Sequence, residues 1–242
     1  MSHVLVAHGT RKRTGVEMVG SLADRVAAAL GSPVRVAFVD VLGPTPAEVL
    51  RGLPGPAVVV PAFLSRGYHV NVDIPAHVAA SGHGDVTVAE ALGPSPEIAR
   101  VLADRLIESD WGPGDSVILA AAGTSDPAAR SDLHKMAAWV SALTSSRVEL
   151  AFAATGEPAV ADAVAQFRAR GASRVVVASY LLADGLFQDR LRNSGADAVT
   201  DPLGSHPATV RLIASRFRRA RLPSRRSGFV ALGRSGRTSC LS

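Results

Sequence analysis

Short apolar runs alternate along this chain with longer stretches in which apolar residues recur at helical spacing. Eight runs rich in Val, Ala and Leu lie near residues 3–7, 34–40, 57–61, 86–89, 116–121, 148–153, 174–178 and 196–199. They are almost wholly apolar, which is typical of strands covered on both faces in a parallel sheet. Residues 15–30 and 96–108 place apolar side chains three and four positions apart, which predicts amphipathic helices. Strand–helix alternation with short connections favours right-handed βαβ units.

The order of motifs is repeated in the second half of the chain. The segments Val4–Thr10, Val58–His69 and Leu92–Pro96 resemble, in turn, Ile118–Thr124, Val175–Phe187 and Leu203–Pro207. We therefore predict an α/β protein of two tandem, similar flavodoxin-like or Rossmann-like domains. Each would hold a parallel four-stranded sheet, and the two would face each other across a central cleft. The predicted divisions are a first domain, a second domain and a basic tail, at residues 1–112, 113–220 and 221–242.

The two copies differ in the residues that carry chemistry. His8 corresponds to Ala122, and, with one inserted residue allowed, His69 corresponds to Phe187. Both histidines follow predicted strands, and the carboxyl ends of parallel strands share one edge of a sheet, where ligands bind. A scaffold that needs two halves for one reaction loses chemical side chains from one half. We therefore expect His8 and His69 to meet at that edge and to be the functional pair, although each could also merely finish a strand.

Two imidazoles suit a loosely held divalent cation. Neutral imidazole is a good ligand for cobalt, iron, nickel and zinc, and it accepts protons near neutral pH. Structural metal sites usually have four protein ligands, so a site with two would hold an ion that can be passed on.

Acids and cations surround the predicted edge. Glu90 follows the fourth predicted strand, where it would accept protons or hold metal, or would be a solvated acid; Asp40, after the second strand, faces the same choice. A basic cluster, which suits an anionic ligand or is an ordinary solvated loop, comprises Arg11, Lys12, Arg13 and Arg66. His206 begins the last predicted helix of the second half, from where it could face the cleft.

Composition limits the class of protein. A hydrophobic fraction of 47% supports a packed core, and no apolar stretch reaches the roughly 18 residues that span a membrane. The single cysteine, Cys240, excludes a disulfide frame, a cysteine zinc site and a protein-held iron–sulfur cluster. No signal peptide is apparent at the start, so a cytoplasmic location is expected.

The basic character belongs to the tail. Residues 221–242 contain five arginines and no acid, and removing these from the formal net charge of +5 leaves zero. Such a Ser/Gly-rich basic segment is typical of disorder, so we expect no specific nucleic-acid partner.

Three motifs resemble one known family. His-Gly-Thr at 8–10, Pro-x-Phe-Leu-Ser-x-Gly-x-His-Val-x-x-Asp-Ile-Pro at 61–75 and Leu-Gly-Pro-x-Pro at 92–96 resemble the sirohydrochlorin chelatases, the type II tetrapyrrole chelatases of the CbiX/SirB group. The resemblance covers about residues 1–220 and is to the long, fused form. It implies insertion of a divalent metal substrate, Co²⁺ or Fe²⁺, into the small-molecule tetrapyrrole sirohydrochlorin for cobalamin or siroheme synthesis. No organic cofactor, iron–sulfur cluster or membrane partner is expected. The fused halves suggest a monomer.

The resemblance gives the histidine pair, and the chemistry of the residues gives a hypothesis for the other roles. The family's paired histidines fall on His8 and His69, which would bind the metal and accept the pyrrole protons, with Glu90 assisting. The substrate's carboxylate arms would be held by Arg11, Arg13 and Arg66. Phe187 would pack on the macrocycle from the second half.

Two other classes of function remain open on the residues alone. Histidine phosphatases also place a His-Gly turn after the first strand, but they need an arginine just before the histidine, where this chain has Ala7. A metallochaperone or tetrapyrrole carrier would bind the metal or the macrocycle without accelerating insertion.

Overall fold

The computed structural model describes residues 1–204 and 206–220, in two halves of the same design. The first half runs β1 Ser2–Ala7, α1 Arg13–Leu30, β2 Val34–Phe38, α2 Pro46–Arg51, β3 Ala57–Pro61, a π-helical turn His69–Asp73, α3 Ile74–Ser81, β4 Val86–Val88 and α4 Pro96–Glu108. The second half runs β5 Ser116–Gly123, α5 Pro127–Thr144, β6 Val148–Thr155, α6 Val160–Ala169, β7 Val175–Tyr180, α7 Leu186–Arg192, β8 Ala198–Val199 and α8 Pro207–Ala220. The predicted tail, residues 221–242, lies outside the described residues.

Each half contains a parallel four-stranded sheet, which confirms the predicted fold class. The strand orders are β2-β1-β3-β4 and β6-β5-β7-β8. Strands β3 and β7 are buried at every position, which explains why their sequences do not alternate between apolar and polar residues. The predicted helices at 15–30 and 96–108 are α1 and α4, and α1 begins two residues earlier than expected.

The strand register corrects one detail of the internal repeat. Ser2 of β1 pairs with Ala57, and the equivalent Ser116 of β5 pairs with Val175. The same number of residues separates Ala57 from His69 and Val175 from Phe187. His69 therefore corresponds to Phe187 without an inserted residue.

The halves share a core as well as facing each other. Helices α1, α4, α5 and α8 lie between the two sheets, with α1 packed on α8 and α4 packed on α5. Because α5 repeats α1 and α8 repeats α4, these two contacts are equivalent, as in a pseudo-twofold arrangement. One continuous hydrophobic cluster includes Leu5 and Leu102 of the first half and Leu119 and Phe217 of the second. The predicted cleft is therefore confined to one part of a closely packed interface.

Two equivalent glycines allow backbone segments to approach closely beside the interface. A Cβ at Gly93 would lie 2.2 Å from the carbonyl oxygen of Leu64 and 2.5 Å from the hydroxyl of Tyr180. A Cβ at Gly204 would lie 2.4 Å from the carbonyl oxygen of Leu182. The Leu-Gly elements of the two halves thus have a packing role.

Within residues 1–204 and 206–220, none of the helices has both the length and the apolar character needed to cross a membrane.

Adding a methyl group at Gly93 should destabilise the protein. We expect Gly93→Ala to lower the free energy of unfolding by about 1–3 kcal/mol, the usual cost of overpacking, because backbone atoms leave the new Cβ no room. Chemical denaturation measures the change. Gly20→Ala, in α1 with no heavy atom within 4 Å of the new Cβ, is the matched control and should be neutral or stabilising by up to about 1 kcal/mol. Equal stability of Gly93→Ala and wild type would contradict this packing.

Candidate functional site

His8 and His69 lie side by side at the carboxyl edge of the first sheet. His8 directly follows β1, and His69 begins the π-helical turn that follows the loop after the adjacent strand β3. The centroids of the two imidazole rings are 4.8 Å apart, and the rings are nearly perpendicular at 89°. Gly9, directly after His8, allows the backbone of Asp40 to approach closely. Its φ of +97° is unfavourable for other residues, and a Cβ there would lie 2.3 Å from the carbonyl oxygen of Asp40.

Hydrogen bonds orient both imidazoles in the same way. Nδ1–H of His69 donates to Oδ2 of Asp73 at 2.5 Å, and Nδ1 of His8 lies 3.2 Å from the carbonyl oxygen of Gly9. These contacts assign the proton to Nδ1 and leave the Nε2 lone pair of each ring available to a ligand. Asp73 was not among the site residues predicted from the sequence. Its signal was the i, i+4 spacing from His69, which places both side chains on one face of a helical turn.

Asp40 is a second acid that the structure brings to the histidine pair, on the side of His8. The backbone N–H of Asp40 donates to the carbonyl of His8 at 3.1 Å, so the loops after β1 and β2 run together. Its Oδ2 lies 4.0 Å from Nε2 of His8. Glu90 is placed differently: its side chain is 83% exposed, and Oε2 accepts from Nη1 of Arg216 at 2.7 Å. The structure therefore does not bring Glu90 to the pair.

A cleft of about 270 Å³ opens beside His69 and is lined by both halves. The first half contributes Phe63, Ser65 and Gly67–Val70, and the second contributes Gly123, Thr124, Ser125 and Thr155. The ring of Phe63 stacks on that of His69, with centroids 5.7 Å apart and an angle of 29°. The second half offers backbone groups and hydroxyls here, and His69 is the imidazole in the lining.

A larger cavity lies at the opposite edge of the first sheet. It measures about 490 Å³ and is lined by residues around the amino ends of β3 and β4, namely Arg51, Gly55, Pro56 and Ser81–Asp85. None of the predicted site residues lines it. In parallel sheets ligands bind beyond the carboxyl ends of strands, so we assign the functional site to the smaller cleft.

The four cations of the predicted basic mouth have different surroundings. Arg66 donates from Nε and Nη2 to the two carboxylate oxygens of Asp132, at 2.9 and 2.6 Å, so most of its fork is occupied. Nζ of Lys12 contacts the carboxylates of Asp184 and Asp189 at 3.1 and 2.6 Å. These two cations therefore join the halves of the protein through carboxylates of the second half.

The other two cations remain near the surface. Arg13 pairs with Glu17 on the exposed side of α1 at 2.7 Å. Arg11 is exposed, and the described part of the chain shows no ion pair for its guanidinium. Arg11 follows His8 by three residues in sequence. Of the four predicted cations, it is thus the one whose guanidinium has no ion pair among the described residues.

Phe187 is not among the residues that line the cleft. Its ring packs with Ala122 and Ala153 against the outer apolar cluster of the second half, and the guanidinium of Arg190 lies 5.7 Å from the ring centroid. Ala122 and Phe187, which stand where the first half has His8 and His69, both pack against this apolar cluster.

His206 is also away from the cleft. It precedes α8, is 9% exposed, and its Nε2 lies 3.5 Å from Oδ2 of Asp104 on α4. Burial is the main cause that lowers the pKa of His206, and the nearby charge of Arg105 adds to it. His206 therefore belongs to the contact between the two halves.

The histidine pair is an open site. Among residues 1–204 and 206–220 no group of three His, Cys, Asp or Glu side chains is arranged to hold a metal ion. Two imidazole ligands leave most of the coordination sphere of a cation to solvent or substrate, unlike a closed structural site with four protein ligands.

The fold and this site define a two-domain α/β protein with an imidazole pair at the edge of a cleft shared by its halves. The CbiX family model matches residues 2–109 and again residues 116–220, and the chain therefore belongs to the CbiX family. The resemblance predicted from the three sequence motifs is confirmed.

Curated relatives of this chain are named as chelatases. It is 31% identical over 127 residues to a sirohydrochlorin cobaltochelatase of Methanothermobacter thermautotrophicus. The match covers 43% of this chain and 88% of that protein. It is 24% identical over 209 residues to a sirohydrochlorin ferrochelatase of Priestia megaterium. That match covers 81% of this chain and 78% of the relative.

Solved structures share the two-domain fold. SirB from Bacillus subtilis with Fe³⁺ superposes with a TM-score of 0.76 at 18% identity, covering 91% of this chain and 96% of that one. CbiX, described as the terminal enzyme for biosynthesis of siroheme in denitrifying bacteria, has a TM-score of 0.68 at 20% identity, covering 91% and 99%.

The buried His206 predicts a pH dependence of stability. Because its pKa is lower in the folded protein than the ordinary 6.5, the unfolded chain binds the proton more readily. The free energy of unfolding should therefore fall as the pH drops below about 6.5, and His206→Asn, which does not titrate, should reduce this slope. Denaturation at pH 8 and pH 5.5 measures both. An unchanged slope in the variant would contradict the burial of this imidazole.

Proposed function

We propose that this protein is a sirohydrochlorin chelatase that inserts Co²⁺ or Fe²⁺ into sirohydrochlorin. The observation that carries the proposal is the pair of imidazoles, 4.8 Å apart, at the edge of a cleft shared by both halves of a CbiX-family chain. The metal ion is a substrate of this reaction, and it must be bound, stripped of water and released to the macrocycle.

The histidine pair is suited to a temporary hold on the ion. Both rings direct Nδ1–H to an oxygen acceptor, so both Nε2 atoms have a lone pair for the same cation. Metal–imidazole distances of about 2.0–2.1 Å are compatible with rings this close together. With two protein ligands, the remaining positions stay open to the pyrrole nitrogens, which take over the ion as water leaves.

Insertion also releases protons. The macrocycle gives up two N–H protons for each divalent cation that enters, so that the charge of the product balances. As the ion moves to the pyrrole nitrogens, the Nε2 lone pairs of His8 and His69 become free to accept those protons. Asp73 stabilises the resulting imidazolium of His69, and Asp40 is placed to pass a proton from His8 to solvent. Glu90 lies apart, so we transfer its predicted assisting role to Asp40.

The walls of the cleft suit a flat macrocycle with anionic arms. Phe63 and Tyr68 present aromatic rings next to His69, and the backbone and hydroxyls of Thr124 and Ser125 face them from the second half. We assign a substrate carboxylate to Arg11. Arg13 is a weaker candidate because it already pairs with Glu17.

We also propose the domain division at 1–112 and 113–220, a cytoplasmic location and a monomeric state. The division rests on the break between α4, which ends at Glu108, and β5, which begins at Ser116. The monomer rests on the core that the two halves already share.

Loss of either histidine should abolish most of the activity. We expect His8→Ala and His69→Ala each to lower kcat/KM for Co²⁺ insertion by about 100-fold or more, since even partners that only orient a metal ligand cost 10–100-fold. The visible absorbance change of sirohydrochlorin with Co²⁺ measures the rate. His83→Ala, at the opposite edge of the sheet, is the control and should keep wild-type activity.

Other outcomes of this assay would reject the proposal. Binding of sirohydrochlorin or Co²⁺ without a rate above the protein-free reaction would indicate a carrier. Hydrolysis of a generic aryl phosphate that depends on His8 would indicate a phosphatase.

A second comparison decides whether Asp40 or Glu90 assists metal insertion. Asp40→Asn should lower the rate of insertion by about tenfold or more, because general acid–base groups contribute factors of about 10² or above. Glu90→Gln removes a carboxylate that pairs with Arg216 and should change the rate less than twofold, which is the matched control. The same assay over pH 6–9 gives both values, and a larger loss in Glu90→Gln would restore the role predicted from sequence.

A further inference from the structure

We propose that two carboxylates of the second half, which lacks the histidine pair, are positioning residues: Asp132 and Asp184 hold the loops that carry His69 and His8. The inference rests on the proposed function for its activity readout, but the geometry behind it is independent of that function. Neither carboxylate lines the cleft or contacts a histidine. Each is bound to a cation that is at most four residues from a histidine in sequence.

Asp132 fixes the loop before His69. It lies in α5, its side chain is only 6% exposed, and both of its oxygens accept from the fork of Arg66. The guanidinium lowers the pKa of Asp132, so the pair stays charged throughout the neutral range. The hydroxyl of Tyr180, a buried residue of β7, donates to the carbonyl of Leu64 in the same loop at 2.5 Å. The second half thus holds this loop at two points.

Asp184 fixes the segment after His8. Its side chain is 12% exposed; Oδ2 accepts from the hydroxyl of Thr14 at 2.9 Å and lies 3.1 Å from Nζ of Lys12. Oδ1 lies 2.9 Å from Nη1 of Arg192. Burial alone would raise the pKa of Asp184, but these hydrogen bonds and the charge of Arg192 lower it overall. The backbone is also in contact, since a Cβ at Gly15 would lie 2.0 Å from the carbonyl oxygen of Asp184.

The two contacts are equivalent in the duplicated fold. Arg66 and Asp184 occupy the same position after β3 and β7, three residues before His69 and Phe187 respectively. Each loop therefore docks on the first helix of the opposite half, α5 or α1. The second half lacks the counterparts of His8 and His69 but keeps both docking contacts. It therefore acts on the pair in a second way, besides forming one wall of the cleft.

Positioning of this kind affects metal binding, because two ligands on separate loops are only as well placed as the loops. A displacement of about 1 Å is enough to cost large factors in rate. An Arg–carboxylate fork with two parallel hydrogen bonds is both stronger and more directional than a single surface ion pair. Weakening either contact should therefore widen the range of distances between the imidazoles of His8 and His69 without removing a ligand.

The test compares Asp132→Asn and Asp184→Asn with Asp104→Asn, in the full chain. Asp104 also joins the halves, through His206, but touches neither histidine loop, so it is a control with the same charge change at the same interface. Co²⁺ affinity is measured by its visible absorption bands, with His8→Ala as the blank that identifies the signal of the pair. We expect the Kd and the KM for Co²⁺ to rise about five- to tenfold in both test variants, by analogy with other outer partners of metal ligands, and less than twofold in the control.

A double variant tests whether Arg66 and Asp132 act as one pair, and melting temperatures show whether a variant has lost stability. If Arg66 and Asp132 act as one pair, Arg66→Met should raise the Kd as much as Asp132→Asn, and combining the two should add little. Melting temperatures of all variants are recorded. A Kd within twofold of wild type in a test variant would overturn the assignment for that residue, and an equal rise in Asp104→Asn would overturn both.

The outcomes for this inference and for the proposed function are distinguishable. A wild-type protein that binds Co²⁺ through the pair, is weakened by both test variants and yet inserts no metal would retain the positioning role and reject the chelatase. A wild-type chelatase whose test variants behave like the control would do the reverse. Absence of Co²⁺ binding by the wild-type protein would overturn both.

Discussion

The structure depends on the packing of four helices between two parallel sheets. Helices α1 and α4 come from the first half and α5 and α8 from the second, and together they bury one continuous apolar cluster. Burial of apolar surface is the main favourable term in folding, so this shared layer ties the two halves into one unit. It also decides where the loops go. The same packing that buries Leu102 and Phe217 brings the carboxyl edge of each sheet onto the first helix of the opposite half.

The duplicated scaffold carries an unequal chemistry. His8 and His69 occupy positions that Ala122 and Phe187 fill in the second half, where they pack into an apolar cluster. A polar pair placed there would need hydrogen-bond partners, and an apolar pair needs none. In the proposed function the halves have the same architecture but different roles. The first provides the two imidazoles, and the second contacts the loops that carry them.

The metal site that we propose is suited to release of the ion as much as to its binding. Asp73 and the carbonyl of Gly9 orient the two imidazoles and leave both Nε2 atoms available, so little reorganisation is needed when a cation arrives. The described residues offer no third ligand in metal-binding geometry. A chelatase has to surrender its metal ion to the macrocycle, and a complete protein coordination sphere would oppose that step.

The sequence by itself determined the fold class, the repeat and the histidine pair. Burial on both faces removes polar residues from parallel strands, and that pattern is visible in β3 and β7 without coordinates. Strand order then places His8 and His69 at one edge. Only the tertiary structure decided the partners of the side chains around them. Arg66 and Arg11 look alike in sequence, but Asp132, 66 residues away from Arg66, occupies one and not the other. Glu90 and Asp40 likewise both follow strands, and the loop contact with His8 selects Asp40. Local periodicity reports which face of an element is buried, whereas the pairing of charges depends on how distant elements pack, and no short-range pattern encodes that.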